Sequence, residues 1–128
     1  MNITICNLSA HECRCCVEFS SEFGTAWAFW DGEPPVVGSA YDVEIDVPQL
    51  KPLECKMHYP SDSKYSIRNI GDRSVLLQGQ IIHSEDGDAL GIQIGDDVVL
   101  LESAIATPRS GAYVTIEVPA ITLYPINL

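Results

Sequence analysis

Tyr41-Asp42-Val43-Glu44-Ile45-Asp46-Val47 alternates large apolar and acidic side chains without a break. Period two is the signature of a half-buried β-strand, because successive side chains point to opposite faces. Tyr41, Val43, Ile45 and Val47 are expected to face a core, and Asp42, Glu44 and Asp46 to face outward. Pro48 closes the run, since it has no N–H to give to a ladder. Upstream, Thr25 to Trp30 is aromatic-rich and strand-like, and Asp31-Gly32-Glu33-Pro34-Pro35 reads as the loop after it.

The second half reads as a meander. Ser74 to His83 is one strand with Gly79 inside it, a position that marks a bulge or bend. Glu85-Asp86-Gly87-Asp88 is a hairpin turn and Ala89 to Ile94 its partner strand. Gly95-Asp96-Asp97 turns again into a strand over Val98 to Glu102. After a loop over Pro108 to Gly111, Tyr113 to Val118 alternates, pauses at Pro119 and resumes through Ile121 to Tyr124. Lys51 to Lys64 is polar and Pro-punctuated, a long loop with room for one short element.

Ser9 to Gly24 supports two readings. Ser9 and Glu12 fit a helical capping box, Gly24 fits a C-terminal stop, and Ala10, Cys13, Cys16 and Val17 then share a face. As a strand, Cys13, Cys15, Val17 and Phe19 share one face instead. The expected fold is therefore all-β and mainly antiparallel, a small barrel or sandwich with at most one short helix near the N-terminus. The order from Gly38 to Pro125 fits an OB-type barrel, by analogy of pattern alone. The 128 residues suit a single compact domain spanning 1–128.

Composition narrows the function classes. The net charge is −11, from 18 acids against 7 bases. Cys15 to Leu50 holds seven acids and Ser74 to Pro108 six, with no Lys or Arg in either stretch. Nucleic acid is not the expected partner, because phosphates need a segregated basic patch. Trp27, Phe29 and Trp30 lie in the base-free stretch and are expected to be core aromatics. No apolar run is long enough for a membrane helix, and Met1 to Ala10 has no basic n-region, so neither a membrane partner nor a signal peptide is expected. Five cysteines (Cys6, Cys13, Cys15, Cys16 and Cys55) are an odd, clustered set that favours reduced thiols in a cytoplasm.

Motifs for chemistry are missing. His11, Cys13 and Cys15 offer zinc-type ligands on one side of a strand, with Cys6, Cys55 and His58 elsewhere, but paired C-x2-C spacing is absent. The expected metal complement is none, with the thiols packed as small hydrophobes. No G-x-S-x-G, H-E-x-x-H or phosphate loop occurs, so neither catalytic residues nor a cofactor are assigned and the chain reads as a non-enzyme. His83-Ser84-Glu85 are neighbours in sequence, but adjacent strand side chains diverge.

The acids themselves remain. The expectation is an acidic binding protein of inhibitor or immunity type that docks a basic protein partner, such as a nuclease toxin. Asp42, Glu44, Asp46, Glu85, Asp86, Asp88, Asp96 and Asp97 are the candidate partner-binding residues. Two alternatives stand beside it: an OB-like ligand- or metal-binding module using the cysteines, and a structural subunit of a larger assembly.

Overall fold

The computed structural model describes residues 1–47, 56–60, 62–71, 73–83, 90–101 and 111–126. Their secondary structure is all strand: β1 (Asn2–His11), β2 (Arg14–Ser21), β3 (Gly24–Trp30), β4 (Ala40–Asp46), β5 (Lys56–His58), β6 (Ser66–Ile70), β7 (Ser74–His83), β8 (Leu90–Ile94), β9 (Asp97–Leu101), β10 (Tyr113–Val118) and β11 (Thr122–Pro125). No helix long and apolar enough to cross a membrane occurs among the described residues.

Five strands close a barrel in the order β1-β2-β3-β11-β4, and the other six form a second sheet. β1, β2 and β3 are a meander, β11 runs parallel to β3, and β4 joins β11 to β1. This is the Greek-key order of an OB-type barrel, drawn from other residues than the sequence suggested. The sequence reading placed such a barrel over Gly38 to Pro125. Instead β1 to β3 belong to it, while β7 and its hairpin lie in the second sheet. The expected meander also ends at β9, because β10 returns to pair with β7 and β11 leaves for the barrel.

The stretch that admitted a helix is a β-hairpin. Cys16 pairs with Ser9 and Arg14 with His11, and the turn is Glu12-Cys13, both at positive φ (52° and 64°). The strand pattern prevails because Val17 and Phe19 fill the barrel interior, with no water access. Ile3 and Ile5 enter the same interior from β1, a strand the sequence reading did not assign. Beyond a register shift between Ile5 and Asn7, β1 turns away from the core and Asn7 to Ala10 are exposed, while Val17 and Cys16 opposite them on β2 stay buried.

β3 departs from the expected aromatic core. Ala26, Ala28 and Trp30 point inward, whereas Trp27 and Phe29 lie half-buried on the barrel's outer side. A five-stranded barrel is narrow, and alanines leave room for Phe19 and Trp30. β4 behaves as read: Val43 and Val47 are buried, Tyr41 and Ile45 pack against the core, and Asp42, Glu44 and Asp46 are exposed.

β7 is the spine of the second sheet. One edge pairs with β10; the other pairs with β6 over residues 74–78 and with β8 over residues 80–83. Gly79 sits where β6 gives way to β8, and a Cβ there would collide with the Gln93 carbonyl. The glycine therefore serves a close backbone approach. Gln78 is buried on the face opposite Leu77, and its amide donates to Asp62 Oδ1 at 2.7 Å. Buried side chains of both sheets form one continuous core. Two further bonds join them: Ile67 N–H donates to Phe23 O at 3.1 Å, and Trp27 N–H donates to Asn69 Oδ1 at 2.9 Å.

Candidate functional site

The barrel and the second sheet meet a second time where β4 approaches β9, and there the acids gather. The amino group of Met1 lies at this junction. It donates to Val43 O at 2.8 Å, to Asp42 Oδ1 at 3.1 Å and to Asp97 Oδ1 at 3.1 Å. Burial opposes its charge, but the hydrogen bonds and charges of Asp97 and Asp42 prevail and raise its pKa above 8.0. Asp42 and Asp97, far apart in sequence, are thus clipped by one cation.

On one side of this clip runs an open groove of about 540 Å³ between β4, β9 and β11. Glu44, Asp46 and Asp97 supply carboxylates along it. Among the described residues neither Glu44 nor Asp46 forms an ion pair. The groove also holds Val98, Leu100, Tyr124 and Ile126, which are 49%, 60%, 40% and 37% exposed. β9 alternates as a strand must, with Val99 and Leu101 in the core and Val98 and Leu100 in the groove. On the other side of the clip a second groove of about 480 Å³ is lined by Glu22, Asp96 and Asp97 among others.

Five of the candidate acids are therefore brought together: Asp42, Glu44 and Asp46 on β4 with Asp96 and Asp97 at the β8–β9 turn. Glu85, Asp86 and Asp88 lie outside the described residues. Sequence reasoning missed the apolar partners of this acidic surface. The run Val98-Val99-Leu100-Leu101 is apolar on both faces, which is the signal that its outward face has work besides solvation.

The sulfur and histidine ligands do not assemble as a strand reading suggested. The turn puts His11 on β1, Cys13 at the tip and Cys15 on β2. Cys15 packs against the core, where burial and then neighbouring Cys16 push its thiol pKa up, away from the thiolate that metal binding needs. Cys16 is buried on the opposite side, beside Trp27 and Arg73. Among the described residues no three His, Cys, Asp or Glu side chains converge to hold a metal. Cys55 lies outside the described residues, as does the His83 side chain.

One electrostatic expectation is corrected. The β3 aromatics are base-free in sequence but not in space: the Arg14 guanidinium lies 3.8 Å over the centre of the Phe29 ring, and Arg73 lines a pocket with Trp27. Strand pairing brings in Arg14, and the fold brings in Arg73. Compared with protein-family models, curated proteins and solved structures, the chain matches none, so its functional reading rests on this geometry.

Proposed function

We propose that this chain is a non-catalytic, acidic binding protein of inhibitor or immunity type, which docks a basic protein partner at the β4/β9 groove. The observation that carries the reading is that Glu44 and Asp46, which form no ion pair among the described residues, share one concave surface with exposed apolar side chains. Carboxylates speed and orient the encounter, and apolar area holds the complex once formed. A nuclease toxin, whose nucleic-acid face is necessarily basic, has the matching chemistry. A cytoplasmic location belongs to the same reading, and is supported by free thiols at Cys6, Cys13, Cys15 and Cys16.

The test is association kinetics of the Glu44→Gln, Asp46→Asn double variant with partners captured from the native host, at two salt concentrations. The on-rate should fall, and the difference from the parent should shrink at high salt, because the Debye length is only about 8 Å at physiological ionic strength. Unchanged association at both salts would reduce the acidic face to a solubility device.

A second reading, an OB-like ligand-binding module, is favoured by the Arg14–Phe29 stack and the neighbouring Trp27 and Arg73. Aromatic and basic side chains together form a stacking platform for single-stranded nucleic acid. Two bases against a net charge of −11 make it the weaker choice. A steeply salt-dependent anisotropy change with single-stranded DNA, lost in Phe29→Ala, would promote it.

A further inference from the structure

Resting on that docking reading, we propose that the β4/β9 groove is an arginine-receiving site: it takes the arginine side chains of an extended partner segment, and prefers them to lysine. Four of the eight large apolar side chains exposed among the described residues, Val98, Leu100, Tyr124 and Ile126, line this single groove. A purely apolar partner would leave Glu44 and Asp46 desolvated without a counter-charge, which is costly. A bare cation would make no use of the apolar walls. Arginine and lysine satisfy both demands, since each carries an aliphatic stem and a cationic head.

The register selects between them. On the antiparallel β4–β11 pair, Tyr124 stands directly opposite Glu44, and Thr122 opposite Asp46. Directly opposed side chains have Cβ atoms about 5 Å apart. Glu44 and Asp46, two positions apart on one strand face, are separated by about 7 Å. A planar guanidinium laid on the Tyr124 ring thus keeps its N–H edge free for the Glu44 carboxylate, a geometry an ammonium does not reproduce. The protein builds such a stack within itself, where Arg14 lies 3.8 Å over Phe29. Asp42 and Asp97 are already engaged by the Met1 amino group, so Glu44 and Asp46 are the carboxylates left for the guanidinium. The groove's volume of about 540 Å³ suits several side chains of a segment rather than one ion.

The experiment uses three labelled peptides that alternate valine with arginine, lysine or citrulline, titrated into the whole chain at low salt. The arginine peptide should bind up to about fourfold tighter than the lysine peptide, the full worth of a cation on an exposed ring when only the planar guanidinium can stack on Tyr124 and reach Glu44 together. The citrulline peptide, which keeps the shape and loses the charge, should bind weakest. Tyr124→Leu should remove the arginine preference while leaving lysine-peptide binding, and Tyr124→Phe, which keeps the ring, should restore the preference. Glu44→Gln with Asp46→Asn should weaken both cationic peptides. Equal binding of arginine and lysine peptides, both lost in the acid variant, would overturn the arginine assignment and leave the docking reading standing. Binding that the acid variant does not alter would overturn both. Circular dichroism of each variant separates loss of the site from loss of the fold.

Discussion

A glycine and an amino group each show how much rests on one position. Gly79 faces the Gln93 carbonyl at the point where β6 yields to β8. A methyl group there must push two strands apart, because the obstacle is backbone and not the end of a flexible side chain. Gly79→Ala should cost about 1–3 kcal/mol in denaturant unfolding, the usual penalty of overpacking. The Met1 amino group, held by Asp42 and Asp97, has a pKa above its ordinary 8.0. A cation whose folded pKa is raised contributes stability that is complete below the unfolded value and fades as pH rises through the folded one. Thermal midpoints should therefore drop from pH 8.0 upward in a chain that begins with a free Met1 amine. Asp97→Asn should lower stability near neutral pH and flatten that decline. Asp42→Asn should do likewise, so the acids of β4 are not interchangeable. Neutralising Glu44 and Asp46 should leave stability unchanged or slightly raised, as repulsion between like charges on one strand face is relieved.

Among the elements, the β1–β2 hairpin is the one whose local sequence fits its conformation least well. A two-residue hairpin turn with both central residues at positive φ calls for Asn-Gly, and here it is Glu12-Cys13. L-residues with a Cβ pay about 1–2 kcal/mol each in the left-handed region. Glu12→Asn with Cys13→Gly should therefore stabilise the chain by about 1–2 kcal/mol in denaturant unfolding. No gain would mean that the turn conformation differs in solution. The hairpin persists despite its turn because pairing of β1 with β2 carries Ile3, Ile5, Val17 and Phe19 into the barrel. β3 shows the converse: its outward aromatics are covered by neighbours, with Arg14 on Phe29 and Arg73 beside Trp27. An aromatic-rich strand in sequence thus became a strand with alanines inside.

For the molecule as a whole, one core joins barrel and sheet. Val17, Phe19 and Val43 from the barrel and Leu77, Ile92 and Ile116 from the sheet belong to the same buried cluster. Neither half is expected to persist alone, since separation would bare the apolar face of the other. Unfolding followed by tryptophan fluorescence, which reports β3, should coincide with unfolding followed by far-UV circular dichroism, which reports all strands. Two separated transitions would show that the halves fold independently. The acidic charge acts at this scale too. It is spread along the chain in sequence, yet folding concentrates Asp42, Glu44, Asp46, Asp96 and Asp97 around the Met1 clip and its two grooves.

Local side-chain alternation was enough to read β4 and β10, because period two is imposed by the backbone itself and each of those strands has one face in the core; β7 was read from its Val, Leu and Ile content instead, and it buries Leu76 and Gln78 as well as Val75 and Leu77. The exposure of Asp42, Glu44 and Asp46 followed from the same rule, as did the all-β class. β1 and β6 were not read: β1 turns polar past Ile5, and β6 buries only Ile67 among Ser66, Arg68 and Asn69, so neither repeats an apolar pattern far enough to declare itself. Which strands neighbour which was beyond the sequence, because pairing between β1 and β4 or β3 and β11 joins segments far apart in the chain by backbone bonds that carry no side-chain label. The groove belongs to that second class. Its acids were visible one by one, but the closeness of Asp97 to Asp42, the placement of Tyr124 opposite Glu44 and the exposure of Val98 and Leu100 were settled only when barrel and sheet packed together.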